Sequence, residues 1–207
     1  MKEEVVLVHG IWMTGLEMAL LGRRIRASGY RVRQFRYRSL RQTPAENAAL
    51  LNHLLQSLDA DIVHLVAHSL GGIVVMHLFD RFPLQRPGTV VMLGSPLRGS
   101  AIARNYSRFS LLRPLLGRSV VRGLLGDVPR WKGARRLCMI AGNRGFGIGK
   151  LLPGSLPEPN DGTVALEETR DPAVNQHLEV PYSHFAMLFS RRIADEVTSC
   201  LRDGKFL

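Results

Sequence analysis

Short apolar runs alternate with segments of helical periodicity along most of this chain. The runs are rich in β-branched residues and nearly free of charge, as expected for strands that are buried on both faces of a sheet. They span residues 5–8, 61–67, 89–93, 136–141 and, in a shorter form, 178–180. Residues 30–37 alternate between apolar and polar positions, which predicts a further strand.

Helical spacing of apolar residues appears between these runs. The predicted helices span residues 16–28, 44–58, 70–82 and 185–201. The second of them opens with Thr43-Pro44-Ala45-Glu46, a capping box with proline at the first helical position. Strands that alternate with helices predict the α/β class, with a mostly parallel sheet and helices on both faces.

Two stretches interrupt this alternation within what we expect to be one domain over residues 1–207. Residues 97–132 are rich in leucine and arginine and predict a short cap or lid of one or two helices. Residues 142–159 carry several glycines and prolines and predict an irregular loop. Because functional residues of such folds follow the carboxyl ends of parallel strands, both stretches start at the functional edge.

Composition narrows the choice of function. The 207 residues are 45% hydrophobic, enough for one substantial core, and carry a net charge of +11. The arginines are dispersed and aromatic residues are few, so nucleic-acid binding is not favoured. A basic surface that faces anionic lipid or an acidic substrate, or that only keeps the protein in solution, fits at least as well. Cys138 and Cys200 are predicted to be separate buried thiols, and no cysteine–histidine cluster has zinc spacing. With no leader before the first strand and no membrane-spanning run, we expect a cytoplasmic protein that associates peripherally with membranes at most.

The segment Ala67-His68-Ser69-Leu70-Gly71 joins a buried strand to a buried helix. A serine in such a turn, with small residues two positions away on either side, fits a nucleophile elbow. The free N–H groups of the helix N-terminus would then face an anion. The alternative is an ordinary turn in which the serine caps the helix.

A serine nucleophile needs a base and an acid that orients the base, here in the chain order Ser, Asp, His. His184 follows the last short strand, whereas His77 lies inside a helix and His177 precedes that strand. For the acid we favour Asp161, which is followed by an apolar Thr163–Leu166 segment. Asp171 and Glu158 are the competing carboxylates.

An oxyanion forms when a serine attacks a carbonyl group, and it needs two preorganised donors. The residue after the nucleophile, Leu70, supplies one backbone N–H. The loop after the first strand, His9-Gly10-Ile11-Trp12, supplies the other, which we assign to Ile11. His9 is expected to orient this loop by hydrogen bonding and not to act as an acid or base.

Together these motifs resemble the α/β-hydrolases of the lipase and esterase class. The resemblance rests on Val-His-Gly after the first strand, Val-Ala-His-Ser-Leu-Gly-Gly at residues 66–72, Leu-Gly-Ser-Pro-Leu-Arg-Gly-Ser at residues 93–100, Asn-Asp-Gly-Thr-Val and a late Ser-His-Phe. The alanine in place of the first elbow glycine is similar to the small bacterial lipases. The resemblance implies an α/β-hydrolase fold, no cofactor and no metal. It also implies Ser69 as nucleophile, Asp161 as acid, His184 as base, and Ile11 and Leu70 as oxyanion donors.

The leading hypothesis is therefore a serine hydrolase of carboxylic esters or thioesters with apolar acyl groups, whose substrate is a small-molecule or lipid ester. Acyl transfer by the same residues and a non-catalytic acyl-binding relative are the alternatives. In the cap, apolar residues are interleaved with arginines, so it either packs on the core as a plain excursion or lines an acyl site and meets anionic lipid. Under the second interpretation Trp12, Leu115 and Leu116 contact the substrate.

Overall fold

The computed structural model describes residues 1–145 and 156–207. Six strands form one sheet in the order β2-β1-β3-β4-β5-β6, and every pairing is parallel. The strands are β1 (Glu3–Val8), β2 (Arg31–Phe35), β3 (Ile62–His68), β4 (Val90–Leu93), β5 (Leu137–Gly142) and β6 (Gln176–Val180). The predicted parallel α/β architecture is confirmed, and all six carboxyl ends lie at one edge of the sheet.

Helices cover both faces of the sheet. The helices are α1 (Ala19–Ala27), α2 (Pro44–Ser57), α3 (Leu70–Arg81), α4 (Ala101–Arg108), α5 (Ala186–Phe189) and α6 (Arg191–Asp203). One apolar cluster joins α2 and α3 to the sheet, and a second joins α1, α5 and α6 to it. Alternate residues of β1 enter opposite clusters, Val6 the first and Val5 the second, as the pleat of a strand requires.

The element boundaries differ from the predicted ones at two helices. The helix predicted over residues 185–201 is broken at Ser190, whose backbone is extended and whose Oγ accepts a hydrogen bond from the N–H of Ile193 at 3.3 Å. A separate N-cap therefore starts α6. The helix predicted from residue 16 begins with a 3₁₀ segment, Leu16–Met18, before α1. Of the predicted loop 142–159, residues 146–155 lie outside the described residues.

The two cysteines correct another expectation. Cys138 of β5 and Cys200 of α6 are paired as a disulfide, although they are 62 residues apart in sequence and were expected to be separate thiols. Both are fully buried in the apolar cluster that α6 forms with the sheet. Their proximity follows from the packing of α6, which spacing along the chain does not reveal.

The stretch 97–132 folds as a compact excursion above the carboxyl edge. It contains α4 and a 3₁₀ segment, Arg113–Val120, that is interrupted at Gly117, where φ is 53°. A third apolar cluster unites its side chains with Leu70 and Ile73 of α3; these side chains include Ile102, Ala103, Tyr106, Leu116 and Leu124. The excursion therefore packs directly on the helix that follows Ser69. Within the described residues, no helix has both the length and the apolarity to cross a bilayer.

Candidate active site

Ser69 occupies a strained turn between β3 and α3. Its φ is 54° and its ψ is −123°, a conformation that costs energy for any residue other than glycine. The N–H of Ser69 donates to the carbonyl of Leu93 at 2.9 Å, which ties the turn to β4. The Ser69 side chain makes no capping hydrogen bond to α3. The geometry is thus that of a nucleophile elbow and differs from an ordinary serine N-cap.

The glycine two positions after Ser69 permits this turn. A Cβ atom on Gly71 would lie 2.7 Å from the carbonyl oxygen of His9 and closer still to that of Val8. Such contacts are with backbone and cannot be relieved by a side-chain rotation. The close approach of α3 to the end of β1 therefore requires glycine at position 71, as the elbow interpretation expects.

Asp161 and His184 form a buried acid–base pair. The Nδ1 of His184 donates to Oδ2 of Asp161 at 2.6 Å, and the two side chains are 3% and 1% exposed. The other carboxylate oxygen, Oδ1, accepts from the N–H groups of Thr163 at 2.9 Å and Val164 at 2.7 Å. Because Nδ1 carries the donated proton, Nε2 of His184 is left free to accept a proton from another group.

This pair lies next to the elbow at the carboxyl edge. A Cβ atom on Gly94, directly after β4, would lie 3.0 Å from Nδ1 of His184 and 3.1 Å from Oδ2 of Asp161. The pair thus lies over the end of β4, the strand next to β3 and Ser69. Among the described residues, Ser69 Oγ has no hydrogen-bond partner. Hydrogen bonds between nucleophile and base are often long in enzymes without substrate.

The alternative candidates for the acid and the base are not placed near Ser69. Asp171 Oδ1 accepts from the N–H of Ala173 at 2.9 Å in a local turn, and Glu158 is exposed. His177 shares a 2.8 Å hydrogen bond with Thr169 Oγ1, and His77 bonds the carbonyl of Arg122 at 2.7 Å. None of these four side chains joins Ser69 at the carboxyl edge.

The loop after β1 carries free backbone donors beside the elbow. Within the described part of the chain, the N–H groups of Ile11 and Leu70 donate no hydrogen bond. Leu70 is the first residue of α3, whose initial N–H groups have no partner inside the helix. A Cβ atom on Gly10 would lie 3.1 Å from Ser69 Cβ, so the loop reaches Ser69.

His9 holds this loop in the way that the sequence analysis expected. Tyr37 donates its N–H to Nε2 of His9 at 3.3 Å and its hydroxyl to the His9 carbonyl at 2.6 Å. With Nε2 accepting, Nδ1 donates to the carbonyl of Gly10 at 2.8 Å. Burial lowers the pKa of His9, which keeps the ring neutral as this network requires.

Trp12 links the same loop to the excursion. Its φ is 60°, and its Nε1 donates to the carbonyl of Leu115 at 2.7 Å. Its ring lies 6.5 Å from that of Tyr106 in α4. Leu115 is 47% exposed, whereas the next residue, Leu116, is buried against Leu70 and Ile73. The three residues predicted to contact substrate therefore lie together, next to the loop that follows β1.

Sequence reasoning missed two residues that organise the site. His68 is buried and its Nε2 lies 3.3 Å from the main-chain carbonyl of His184. Glu168 joins the start of α4 to the acid loop, since its carboxylate accepts from the N–H of Ala101 at 2.5 Å and of Ala165 at 3.0 Å. Burial raises the pKa of Glu168. The position directly before Ser69 was the available signal for His68, whereas nothing local marks Glu168.

Potential metal ligands do not gather in the described ranges 1–145 and 156–207, where no three His, Cys, Asp or Glu side chains cluster around one point.

The comparison with known families agrees with this architecture. The sequence model of the "Alpha/beta hydrolase family" matches residues 5–198, nearly the whole chain. The chain therefore belongs to the α/β hydrolase family. No curated protein sequence matches it.

Solved structures show the same fold at low sequence identity. The lipase BlEst2 from Bacillus licheniformis in its mature form is 20% identical with a TM-score of 0.71, covering 90% of this chain and 86% of that chain. The metagenomic carboxyl esterase MGS0156 is also 20% identical, with a TM-score of 0.70 over 98% of this chain and 71% of that chain. Carboxylesterase CesB from Bacillus subtilis is 13% identical, with a TM-score of 0.65, and 99% and 85% of the two chains are covered.

Proposed function

We propose that this protein is a serine hydrolase that cleaves carboxylic esters or thioesters of apolar acyl groups. The observation that carries the proposal is the buried pair of His184 and Asp161, joined at 2.6 Å next to a serine held at a strained elbow. A binding module needs neither the strain nor a base with a free Nε2. The three similar structures described above are a lipase and two carboxylesterases, which is consistent with this chemistry.

The proposed reaction begins with attack of Ser69 Oγ on the carbonyl carbon of the ester, while Nε2 of His184 takes the hydroxyl proton. The negative charge on the carbonyl oxygen is stabilised by the N–H groups of Ile11 and Leu70. The tetrahedral intermediate collapses, and His184 gives its proton to the leaving alcohol or thiol. Asp161 remains ionised and stabilises the imidazolium that forms in between.

The second half of the reaction releases the acyl group. A water molecule gives a proton to Nε2 of His184, and its oxygen attacks the carbonyl carbon of the acyl-enzyme. Collapse of the second tetrahedral intermediate breaks the bond to Ser69 Oγ, which recovers the proton from His184. Replacing this water by an alcohol would make the protein an acyltransferase, so product analysis in the presence of added alcohols distinguishes the two outcomes.

Labelling with a fluorophosphonate probe tests the proposal directly, because only an activated serine reacts. We expect wild-type protein to be labelled on Ser69 and the Ser69→Ala variant to be unlabelled. Ester turnover should fall on the order of 10⁴-fold in that variant, with thermal stability nearly unchanged. A variant that keeps a tenth of wild-type turnover would show that Ser69 is not the nucleophile. Unlabelled, inactive wild-type protein would favour a non-catalytic acyl-binding role.

We propose further that residues 97–132 form a cap that lines the acyl site, with Trp12, Leu115 and Leu116 nearest the substrate. Leu115→Asp should then lower kcat/KM for long-chain esters more than for short-chain esters, because the charge enters the apolar acyl path. Val121→Asp is the matched control, since Val121 is on the same excursion and is 49% exposed, close to the 47% of Leu115. An equal loss on all chain lengths would argue that Leu115 is only structural.

The outer face of this cap favours contact with anionic membrane as a second property. Phe109 and Leu111 are exposed there, and Arg108 and Arg113 have no carboxylate partner among the described residues. Exposed apolar side chains flanked by free guanidinium groups fit an interface of anionic headgroups. Binding to anionic vesicles should weaken steeply with salt, since exposed charges are screened within about 10 Å at 0.1 M. An absence of binding at low salt would contradict this property.

A further inference from the structure

His68, the residue directly before Ser69, is a buried histidine that the proposed reaction does not use. It is the last residue of β3 and is 1% exposed. Its ring centroid lies 4.5 Å from that of His184, at an interplanar angle of 48°, and 6.0 Å from that of Phe185. The side chain therefore fills the space between the nucleophile's strand and the loop that carries the base.

The hydrogen bonds of His68 define its tautomer. Its Nε2 lies 3.3 Å from the main-chain carbonyl of His184, which can only accept, so Nε2 carries the proton. Its Nδ1 has no partner among the described residues and faces Gly10, where a Cβ atom would lie 3.1 Å away. Burial, and next the neighbouring His184, hold the pKa of His68 well below its usual range, so the ring is neutral.

For stability alone this arrangement is a poor choice. A buried acceptor without a partner destabilises the folded state, and an apolar side chain of similar shape would avoid that cost. The one polar contact that His68 makes within the described ranges is with the main chain of the base. We therefore expect a histidine at position 68 to serve its contact with His184 and not the stability of the fold.

We propose that His68 is a positioning residue that holds the backbone of His184 in register with Ser69; this inference rests on the proposed function. The N–H of His184 donates to the carbonyl of Asp161 at 2.9 Å, and its carbonyl accepts from His68. Both main-chain polar groups of the base are thereby fixed. Because His68 and Ser69 are adjacent, the same turn that sets the position of Oγ also sets the position of the imidazole.

A neutral ring is required at this place. His184 becomes an imidazolium during the reaction, and a second positive charge with its ring centroid 4.5 Å away would oppose that step. The neutral Nε2–H tautomer of His68 donates its hydrogen bond without adding charge. Lysine or arginine would supply a donor but would also repel the charged base.

A matched pair of variants tests the role. Glutamine and methionine have similar length and volume, but only the glutamine amide can donate to the carbonyl of His184. In His68→Met we expect kcat to fall about 10- to 100-fold with KM within threefold of wild type, because misplacing a catalytic group by about 1 Å costs on the order of 10²-fold. In His68→Gln kcat should recover to within about fivefold of wild type.

His77→Met is the control for burial. His77 is also 1% exposed, and its Nε2 bonds a main-chain carbonyl, that of Arg122, at 2.7 Å. This variant loses an equivalent buried hydrogen bond away from the base, so it should lose stability and leave kcat unchanged. If His68→Met keeps more than half of wild-type kcat, or if glutamine is no better than methionine, the positioning role is refuted.

Two readouts on wild-type protein separate this inference from the proposed function. Nitrogen-15 spectra of the histidine rings should show His68 neutral with its proton on Nε2; a proton on Nδ1 would overturn the inference even if every variant failed to fold. Fluorophosphonate labelling of wild-type Ser69 tests the function itself. Labelling that persists at the wild-type rate in His68→Met would refute only the positioning role, whereas unlabelled wild-type protein would refute the hydrolase.

Discussion

Replacing Asp161 by asparagine should disable the site without disturbing its fold. Oδ1 of Asp161 accepts from two backbone N–H groups, those of Thr163 and Val164, at 2.9 and 2.7 Å. In Asp161→Asn the amide oxygen must remain there, because the amide NH₂ cannot accept those bonds. The NH₂ group then faces Nδ1 of His184 and forces that nitrogen to become an acceptor. The proton moves to Nε2, which can no longer act as a base.

The expected loss of turnover is large because the stable tautomer of His184 in this variant carries its proton on Nε2, where it cannot act as a base. Tautomer reversal of this kind lowers turnover by about 10⁴-fold. That factor corresponds to about 5.4 kcal/mol of transition-state stabilisation, at 1.36 kcal/mol for each tenfold. The free energy of unfolding should change much less than in Asp161→Ala. The alanine variant leaves two buried N–H groups unpaired, at about 1–3 kcal/mol each.

The assay compares kcat/KM on one activated ester with urea unfolding for wild type, Asp161→Asn, Asp161→Ala and Asp171→Asn. Asp171 serves as the control, because its Oδ1 accepts only from Ala173 N–H and an amide oxygen can do the same. Its variant should stay within twofold of wild type. Two results would refute the reasoning: an Asp161→Asn variant that keeps a tenth of wild-type kcat/KM, or a large loss in Asp171→Asn.

Two further predictions concern stability. Gly71→Ala should lower the free energy of unfolding by more than Gly29→Ala does, because the new Cβ at 71 meets backbone carbonyls, whereas at 29 nothing lies within 4 Å and the only cost is the strain of a φ of 98°. Equal losses in urea titrations would contradict the close approach. Stability should also fall as the pH drops from 7.5 to 5.5. Burial holds the folded pKa of His68 well below its unfolded value of 6.5, so its contribution to stability is complete above that value and is lost progressively as the pH falls below it. If the free energy of unfolding falls with pH as steeply in His68→Gln as in wild type, His68 is not the source of this pH dependence.

The sheet could be predicted from sequence because strands that are buried on both faces appear as continuous apolar runs. Val5–Val8 is apolar at every position, and the run Ile62–Ala67 that leads to Ser69 is interrupted only by His64, as burial on both faces requires. The break at Ser190 could not be predicted in the same way. Apolar residues continue at helical spacing through α5 and α6, and the interruption depends on the N-cap that Ser190 forms.

The residues of the candidate site also differ in whether the sequence alone could predict them. Ser69, Asp161 and His184 could be proposed because each follows a predicted strand and their chain order suits one mechanism. His68 could not be assigned a role, since its partner is a main-chain carbonyl 116 residues away. The pairing of Cys138 with Cys200 could not be predicted for a related reason. It depends on where α6 packs against the sheet, and the spacing of the cysteines along the chain does not indicate that packing.

Backbone strain connects these observations to the proposed chemistry. Ser69 and Trp12 are not glycines, yet both have positive φ, a conformation that costs about 1–3 kcal/mol where bulky residues adopt it. They flank the two N–H groups proposed to bind the oxyanion, one on each side. The sheet holds the first through the 2.9 Å bond from Ser69 N–H to Leu93, and the excursion holds the second through the 2.7 Å bond from the indole of Trp12 to Leu115. We therefore expect Trp12→Phe, which removes the indole N–H, to lower kcat even for substrates too short to touch the excursion, because the 2.7 Å bond to Leu115 no longer holds this side of the proposed oxyanion site.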